Sequence, residues 1–261
     1  MVAELTTILD SVDYFYARVF RDWPSAVTRE NNDYTFSFSG DTRLTGANHL
    51  WLRHPDALTP QTLHDARAFF EHFRAAWSVV VIDTFIPQAS ALLHDRGFFV
   101  RWDSPLMVLD GLAHRLPIHT GVEVQRATTP RHLSDIIFVM AEAFATNDNV
   151  NRRVVRNAQL GDAHIQHYVI YTEGQPAACA TVARHNGTAS IWNVGTRLRF
   201  RRQGLATTIM HAILDDLAAE GITTTILMAT RAGLPLYNRL GYRRVGTTAY
   251  MGPPLFQYRE G

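Results

Sequence analysis

The sequence predicts an α+β protein, with helices packed on a mixed α/β sheet and the chain laid out as two successive halves. Three observations carry this. Segments rich in β-branched and aromatic residues alternate with amphipathic helical segments along most of the 261 residues. Hydrophobic residues at 46% against 19% charged suffice for a buried core. The halves also echo each other. Trp77 to Asp83, a helix, Leu92-Leu93-His94-Asp95-Arg96-Gly97-Phe98 and a strand recur in order as Thr223 to Ala229, a helix, Leu236-Tyr237-Asn238-Arg239-Leu240-Gly241-Tyr242 and a strand. Ala47-Asn48-His49-Leu50-Trp51 matches Ala189-Ser190-Ile191-Trp192-Asn193 in the same way.

The first half, expected over residues 1–115, opens with a helical pattern (Leu5, Leu9, Val12, Tyr16, Val19) running to about Phe20. Tyr34 to Ser39 and His49 to Leu52 read as strands. A helix begins at Pro60, a residue suited to a first turn because its missing N–H would have had no partner there, and runs to about Ala76. Trp77 to Asp83 is a continuous apolar run, hence a strand buried on both faces. A short helix over Pro87 to Asp95 and a strand over Phe98 to Leu109 complete it. Residues 111–121, with a proline and two glycines, read as an inter-domain linker.

The second half, 122–261, begins with a strand (Val122 to Arg126) and a helix (Pro130 to Phe144) for which Thr129 is the N-cap. A polar loop over Thr146 to Asn151 and a shorter helix follow. His167 to Tyr171 and Ala177 to Arg184 pair across Thr172-Glu173-Gly174-Gln175, and Ala189 to Thr196 is the next strand. Gly204 to Glu220 is a strong amphipathic helix closed by Gly221. Thr223 to Ala229, a short helix Leu234 to Leu240 and a strand Tyr242 to Met251 end the sheet.

Composition excludes several classes. A formal net charge of +1 gives no reason to expect nucleic acid or an anionic membrane as partner. No apolar run approaches the roughly 18 to 20 residues of a membrane span. Met1 to Asp13 carries Glu4 and Asp10 where a secretory leader would be basic, so a cytoplasmic chain complete from its first residue is expected. The lone Cys179 sits in an apolar run and is expected to be a buried thiol. Every basic residue other than histidine is arginine. His164 and His167 are spaced H-x-x-H but lack a third ligand at zincin spacing, so they read as surface histidines and no metal is expected.

The chemistry is concentrated in Val194-Gly195-Thr196-Arg197-Leu198-Arg199-Phe200-Arg201-Arg202-Gln203-Gly204-Leu205-Ala206-Thr207, a strand, a basic turn and the start of a helix. A helix N-terminus exposes unpaired N–H groups and the positive end of the dipole, and so binds anions. Gly204 lets the turn approach a phosphate closely, Ala206 keeps the next turn small, and Arg201 and Arg202 add charge. Physically this is a pyrophosphate cradle. A Walker A pattern and a three-glycine Rossmann fingerprint are both absent.

Arg201-Arg202-Gln203-Gly204-Leu205-Ala206 resembles the R/Q-x-x-G-x-G/A signature of the GNAT acetyltransferase superfamily, and Leu236 to Tyr242 resembles its L-Y-x-x-x-G-F segment. The resemblance covers Val122 to Met251 and implies acetyl-CoA as cofactor. It implies that Val194, Gly195 and Thr196, on a strand splayed from its neighbour, bind pantetheine. The turn and helix start, Arg201 to Thr207, would hold the pyrophosphate, and Tyr237 would protonate the leaving thiolate. A phenol, with a pKa near 10, suits that last task. Where the family often has asparagine this chain has Thr230, and its strand Ser190 to Asn193 offers no carboxylate base. Glu142 and Asp148 are the remaining base candidates.

Glu142, Phe144 and Trp192 are expected around the acceptor, a small-molecule or peptide amine, and a homodimer stays open. In the first half the equivalent turn, Thr59-Pro60-Gln61-Thr62-Leu63, lacks arginine and glycine, and Leu93 stands where Tyr237 does. That half is therefore expected to be a degenerate, non-catalytic GNAT-like domain. The competing readings are a non-catalytic acyl-CoA-binding protein, and the same fold doing O-acyl transfer or decarboxylation.

Overall fold

The computed structural model describes residues 2–20, 23 and 25–254. The N- and C-terminal ends of the two expected domains, residue 1 and residues 255–261, lie outside the described residues. The chain divides into two units, residues 1–9, 16–106 and 244–261, and residues 10–15 and 107–243.

In the first unit, β1 (Val27–Glu30), β2 (Tyr34–Phe38), β3 (His49–Leu52), β4 (Ser78–Ile82), β11 (Arg243–Gly252) and the start of β5 (Phe99–Asp110) lie side by side in the order β1-β2-β3-β4-β11-β5. β1, β2 and β3 are antiparallel, and β3 runs parallel to β4. The connection is α2 (Pro60–His72), and α3 (Ala89–His94) follows β4. Phe36, Phe70, Trp77, Val79, Val81, Leu93 and Phe98 form the core between these helices and the sheet. β4 is buried at all five positions, as its unbroken apolar run requires.

The second unit orders its strands as the end of β5, then β10 (Thr224–Met228), β9 (Thr188–Thr196), β8 (Gln175–His185), β7 (Ile165–Thr172) and β6 (Val124–Arg126). β6 to β9 are antiparallel neighbours; β9 and β10 are parallel, joined through α6 (Leu205–Ala219). α7 (Leu234–Leu240) follows β10. α6 buries Ile209, Met210, Ile213 and Leu217 against Ile170, Ala178, Ala180 and Ile191. On the opposite face α4 (Pro130–Phe144) packs Leu133, Ile136, Ile137 and Met140 against Val169 and Cys179. The succession hairpin, helix, parallel strand, short helix thus occurs in both units, as the repeat in the sequence foretold.

The structure departs from the sequence reading in four places. β1 was not foreseen, because Val27–Glu30 is exposed at every position and shows no apolar alternation. The loop expected at Thr146 to Asn151 already holds most of α5 (Asp148–Val154), whose start is capped by Asn147 accepting from the Val150 amide at 3.0 Å. The closing strand pairs Thr248 to Met251 with Ile82 to Val79 of β4, in the first unit. Residues 111–121, read as a linker, are instead strapped to α6, α7 and the start of β10: Gly111 N–H donates to Thr223 O, His114 N–H to Leu240 O and Leu116 N–H to His211 Nε2, while Arg115 pairs with Asp215 at 2.6 Å. A proline- and glycine-bearing segment can be well ordered when its amides find such acceptors.

Candidate acyl-transfer site

Everything at the candidate site follows from where β9 stops pairing. Its parallel register with β10 ends at Ser190 opposite Ile226, whereas its antiparallel pairing with β8 continues to Thr196 opposite Ala178. From Asn193 onward the edge of β9 facing β10 has no ladder partner among the described residues. The strand splays there, and Val194, Gly195 and Thr196 lie on the splayed part. Gly195 is tightly covered on its other side: a Cβ there would come within 3.0 Å of Ala143 Cβ and 3.1 Å of the Phe144 ring. Phe144 therefore stands over the splayed strand. Trp192 stacks on Phe15, with ring centroids 3.9 Å apart and 7° between planes.

A single turn of 3₁₀ helix (Leu198–Phe200) leads to the expected cradle. Arg202 (φ 63°) and Gly204 (φ 81°) are both left-handed, a conformation that suits glycine and strains arginine. Gly204 is the N-cap of α6 and has no side chain to give its amides. The N–H groups of Gly204, Leu205, Ala206 and Thr207 have no acceptor among the described residues; the first closed bond is Thr208 N–H to Gly204 O at 2.9 Å. The matching helix of the first unit is closed. Thr59 accepts from the Thr62 amide at 3.0 Å, and Pro60 has no N–H to offer.

The basic residues of the turn divide by contact. Arg201 donates Nε to Thr196 O (3.1 Å) and a terminal nitrogen to Ala143 O (2.9 Å), tying the turn to the ends of β9 and α4. These bonds make it a brace of the turn. Arg202 and Gln203 are exposed, and Gln203 donates to Arg199 O at 3.4 Å. Glu142 is held at the same turn. One oxygen accepts from Arg197 Nε at 2.7 Å and the other from the Leu198 amide at 3.0 Å, and the guanidinium holds its pKa below the ordinary carboxylate range. It anchors the turn and faces no acceptor. Its partner Arg197 is the residue that sequence reasoning passed over. Although an arginine, it is 7% exposed, sandwiched 4.4 Å from the Phe138 ring centroid and 5.5 Å from that of Phe200, and donates to Pro176 O. Asp148 heads α5, 3.9 Å from Arg152.

Tyr237 is 6% exposed and belongs to the same apolar cluster as Ile191 and the half-buried Val194. Burial lifts its pKa to about 12, so the phenol is protonated throughout the physiological range. Its hydroxyl has no hydrogen-bond partner among the described residues. The ring is seated against Gly233, where a Cβ would fall 2.8 Å from Cε2. Thr230 accepts from the Gly233 amide at 3.1 Å, fixing the entry to α7. Two recesses, of about 270 Å³ beside Pro130 and Arg156 and about 420 Å³ beside Tyr34 and Phe73, lie away from the turn. The candidate site lies along the unpaired edge of β9.

His167, expected at the surface, is 2% exposed and hydrogen-bonded through both ring nitrogens. Among the described residues no three His, Cys, Asp or Glu side chains form a group suited to a metal ion, and no helix is long and apolar enough to cross a membrane.

A splayed strand leading into an uncapped helix defines a class, and comparison with known proteins places it. Residues 136–242 match the model of the acetyltransferase (GNAT) family and are a GNAT acetyltransferase domain. Solved structures extend the likeness of fold to nearly the whole chain. A GCN5-related N-acetyltransferase from Kribbella flavida superposes with a TM-score of 0.73 over 95% of each chain at 20% identity. One from Sphaerobacter thermophilus gives 0.67 over 98% of this chain and 92% of that one at 12% identity. A functionally unknown protein from Staphylococcus epidermidis gives 0.65 over 90% and 96% at 15% identity. The first unit therefore shares the fold as well. No curated protein matches the sequence.

Proposed function

We propose that the second unit moves an acetyl group from acetyl-CoA to an amine of a small molecule or peptide by direct attack, and that the first unit is non-catalytic. The observation that carries this reading is the contrast between two equivalent helices, α6 open at its N-terminus and α2 closed by Thr59 and Pro60. An uncapped run of amides is costly unless something anionic completes it.

The fit of acetyl-CoA is judged on the donors. The four amides from Gly204 to Thr207 suit a diphosphate, and the unladdered edge of β9 suits the amide-bearing pantetheine arm. Acetyl-CoA supplies an activated acyl group as a thioester. The neutral amine attacks the carbonyl carbon, a C–N bond forms as the C–S bond breaks, and the surplus proton of the amine passes to water. Main-chain N–H on the Val194 strand stabilises the charge that develops on oxygen. Tyr237 would deliver its proton to the departing sulfur and be reprotonated from the water that takes up the amine's proton. A phenol at about 12 is a poor donor to a solvated thiolate near 8.5. Burial raises thiols too: Cys179, fully buried in the same unit, reaches about 12. A thiolate departing beside the buried phenol loses solvent as well, which brings its basicity toward that of Tyr237. In the first unit Leu93 offers no proton.

The test is calorimetry with acetyl-CoA followed by thiol release across a panel of amines. Binding at one site per chain, turnover with at least one amine, and loss of binding in Gly204→Val are expected. That variant adds a β-branched side chain at φ 81°, with its Cβ 3.3 Å from the His119 main-chain nitrogen. Binding without thiol release from any amine would assign a non-catalytic acyl-CoA binder. An absence of binding would remove the reading.

A further inference from the structure

The pairing of β8 with β9 slips by one residue: Cys179 faces Gly195, but Thr181 faces Trp192. Asn193 and Val194 together stand opposite Ala180, a β-bulge, and Asn193 takes a left-handed backbone with φ 54°. A bulge re-aims the groups that follow it. Those groups are the main-chain amides of Val194 and Gly195, immediately before the turn.

A buried polar chain ends on this bulge. Asn193 Nδ2 donates to Thr181 Oγ1 at 3.3 Å, Thr181 Oγ1 lies 2.9 Å from His167 Nδ1, and His167 Nε2 lies 2.9 Å from Gln159 Oε1. Thr181 is 0% and His167 2% exposed. The directions follow from the far end. Gln159 Oε1 already accepts from the Arg156 amide at 2.8 Å, and its Nε2 donates to Val154 O at 3.1 Å, so His167 Nε2 must carry the proton. Nδ1 is then an acceptor, Thr181 donates to it, and the Thr181 oxygen is left to accept from Asn193. Every link is satisfied in one direction only, from the bulge to the segment after α5. Cys179 Sγ donates to Asn193 O at 3.4 Å and holds the same residue from the other side.

Three buried polar side chains, with the half-buried Asn193 at their end, are a costly way to fill a core, since each needs its partners. A left-handed residue other than glycine persists where its surroundings hold it there. We propose that Thr181 and His167, acting through Asn193, are positioning residues for acyl transfer: they hold the β9 bulge so that the Val194 amide faces the reacting carbonyl. This rests on the acetyl-transfer reading above.

The test compares Thr181→Val with Thr181→Ser in the full chain. Valine keeps the shape and strands both His167 Nδ1 and Asn193 Nδ2; serine restores the hydroxyl. The expected result is a kcat lowered about 10- to 100-fold in Thr181→Val, the scale of an ångström-level misplacement. Its affinity and stoichiometry for acetyl-CoA stay at wild-type values because the cradle is intact, its Val194 and Gly195 amide resonances shift, and Thr181→Ser recovers kcat. Asn193→Gly, which tolerates the left-handed backbone, is expected to lose kcat in the same manner and serves if Thr181→Val does not fold. Wild-type kcat in these variants, or a loss shared equally by acetyl-CoA stoichiometry, overturns the positioning role while leaving acetyl transfer standing. A wild-type protein that binds no acetyl-CoA overturns the functional reading itself, a distinct result read before any variant is made.

Discussion

Tyr237 concentrates the chemistry at the residue scale. Its position in a short helix, seated on Gly233 and buried beside Val194, keeps a neutral phenol at the edge of the splayed strand. Tyr237→Phe retains the ring and removes only the proton. Turnover is expected to fall about 10²- to 10⁴-fold with acetyl-CoA affinity nearly unchanged, measured by steady-state thiol release and calorimetry. Because burial holds the pKa at about 12, ionisation of Tyr237 should leave no alkaline fall in kcat below about pH 10. This residue was legible in the sequence, since Leu-Tyr-x-x-x-Gly is a local pattern. Glu142 and Arg201 were not. Their types suggested a base and a phosphate ligand, and only the fold brings Arg197, Thr196 O and Ala143 O to them. Residue type declares charge, and three-dimensional proximity decides what the charge is spent on.

The turn from β9 to α6 is the element on which the proposed cofactor binding depends. It is held from α4 by two ties, Glu142 to Arg197 and Leu198, and Arg201 to Ala143 O. Glu142→Ala is expected to weaken acetyl-CoA binding about tenfold or more, by leaving the nearly buried Arg197 guanidinium without its carboxylate and freeing the Leu198 amide. Glu142→Gln, which keeps the acceptor for Leu198, should weaken it less; calorimetry on the two variants checks the order. The sign with pH follows from the lowered pKa. The tie is complete above the unfolded value of about 4.3 and is lost as pH falls through the lower folded value. Most elements were legible because their signals are local: Thr129 as a cap and Pro60 as a helix start, Gly204 and Gly221 as helix limits, Glu173-Gly174 as a two-residue turn. Asn186-Gly187, also left-handed at both residues, joins β8 to β9 by the same device and completes the hairpin series. The β9 bulge carried no such signal, because a register slip is a property of two strands. β1 escaped for a related reason: an exposed edge strand needs no apolar alternation.

For the molecule as a whole, two units share one succession of elements and differ in a physically readable way. The first closes its helix with Thr59 and has Leu93 where the second has Tyr237; the second leaves the head of its helix open. Among the buried histidines His49, in the first unit, and His167, in the second, have pKa values pushed down to about 4 by loss of solvent. Depressed values make their contribution full above the unfolded pKa of about 6.5 and progressively lost as pH falls toward the folded one. Each should cost on the order of 3 kcal/mol of stability by pH 4. Melting temperature is therefore expected to fall steadily between pH 6.5 and 4, and His167→Gln should flatten the slope while lowering the plateau. A profile level across that range would show that neither histidine is neutral and buried.

The central claim is that the free amides at the head of α6 hold a diphosphate whose thioester arm runs along the splayed end of β9. A crystal structure of the chain grown with coenzyme A tests it most directly. The account predicts the diphosphate on the N–H groups of Gly204 to Thr207, with the pantetheine arm beside Val194 to Thr196 and the sulfur near the Tyr237 hydroxyl. Coenzyme A ordered at any other place, or a bare helix end at saturating concentration, would contradict it.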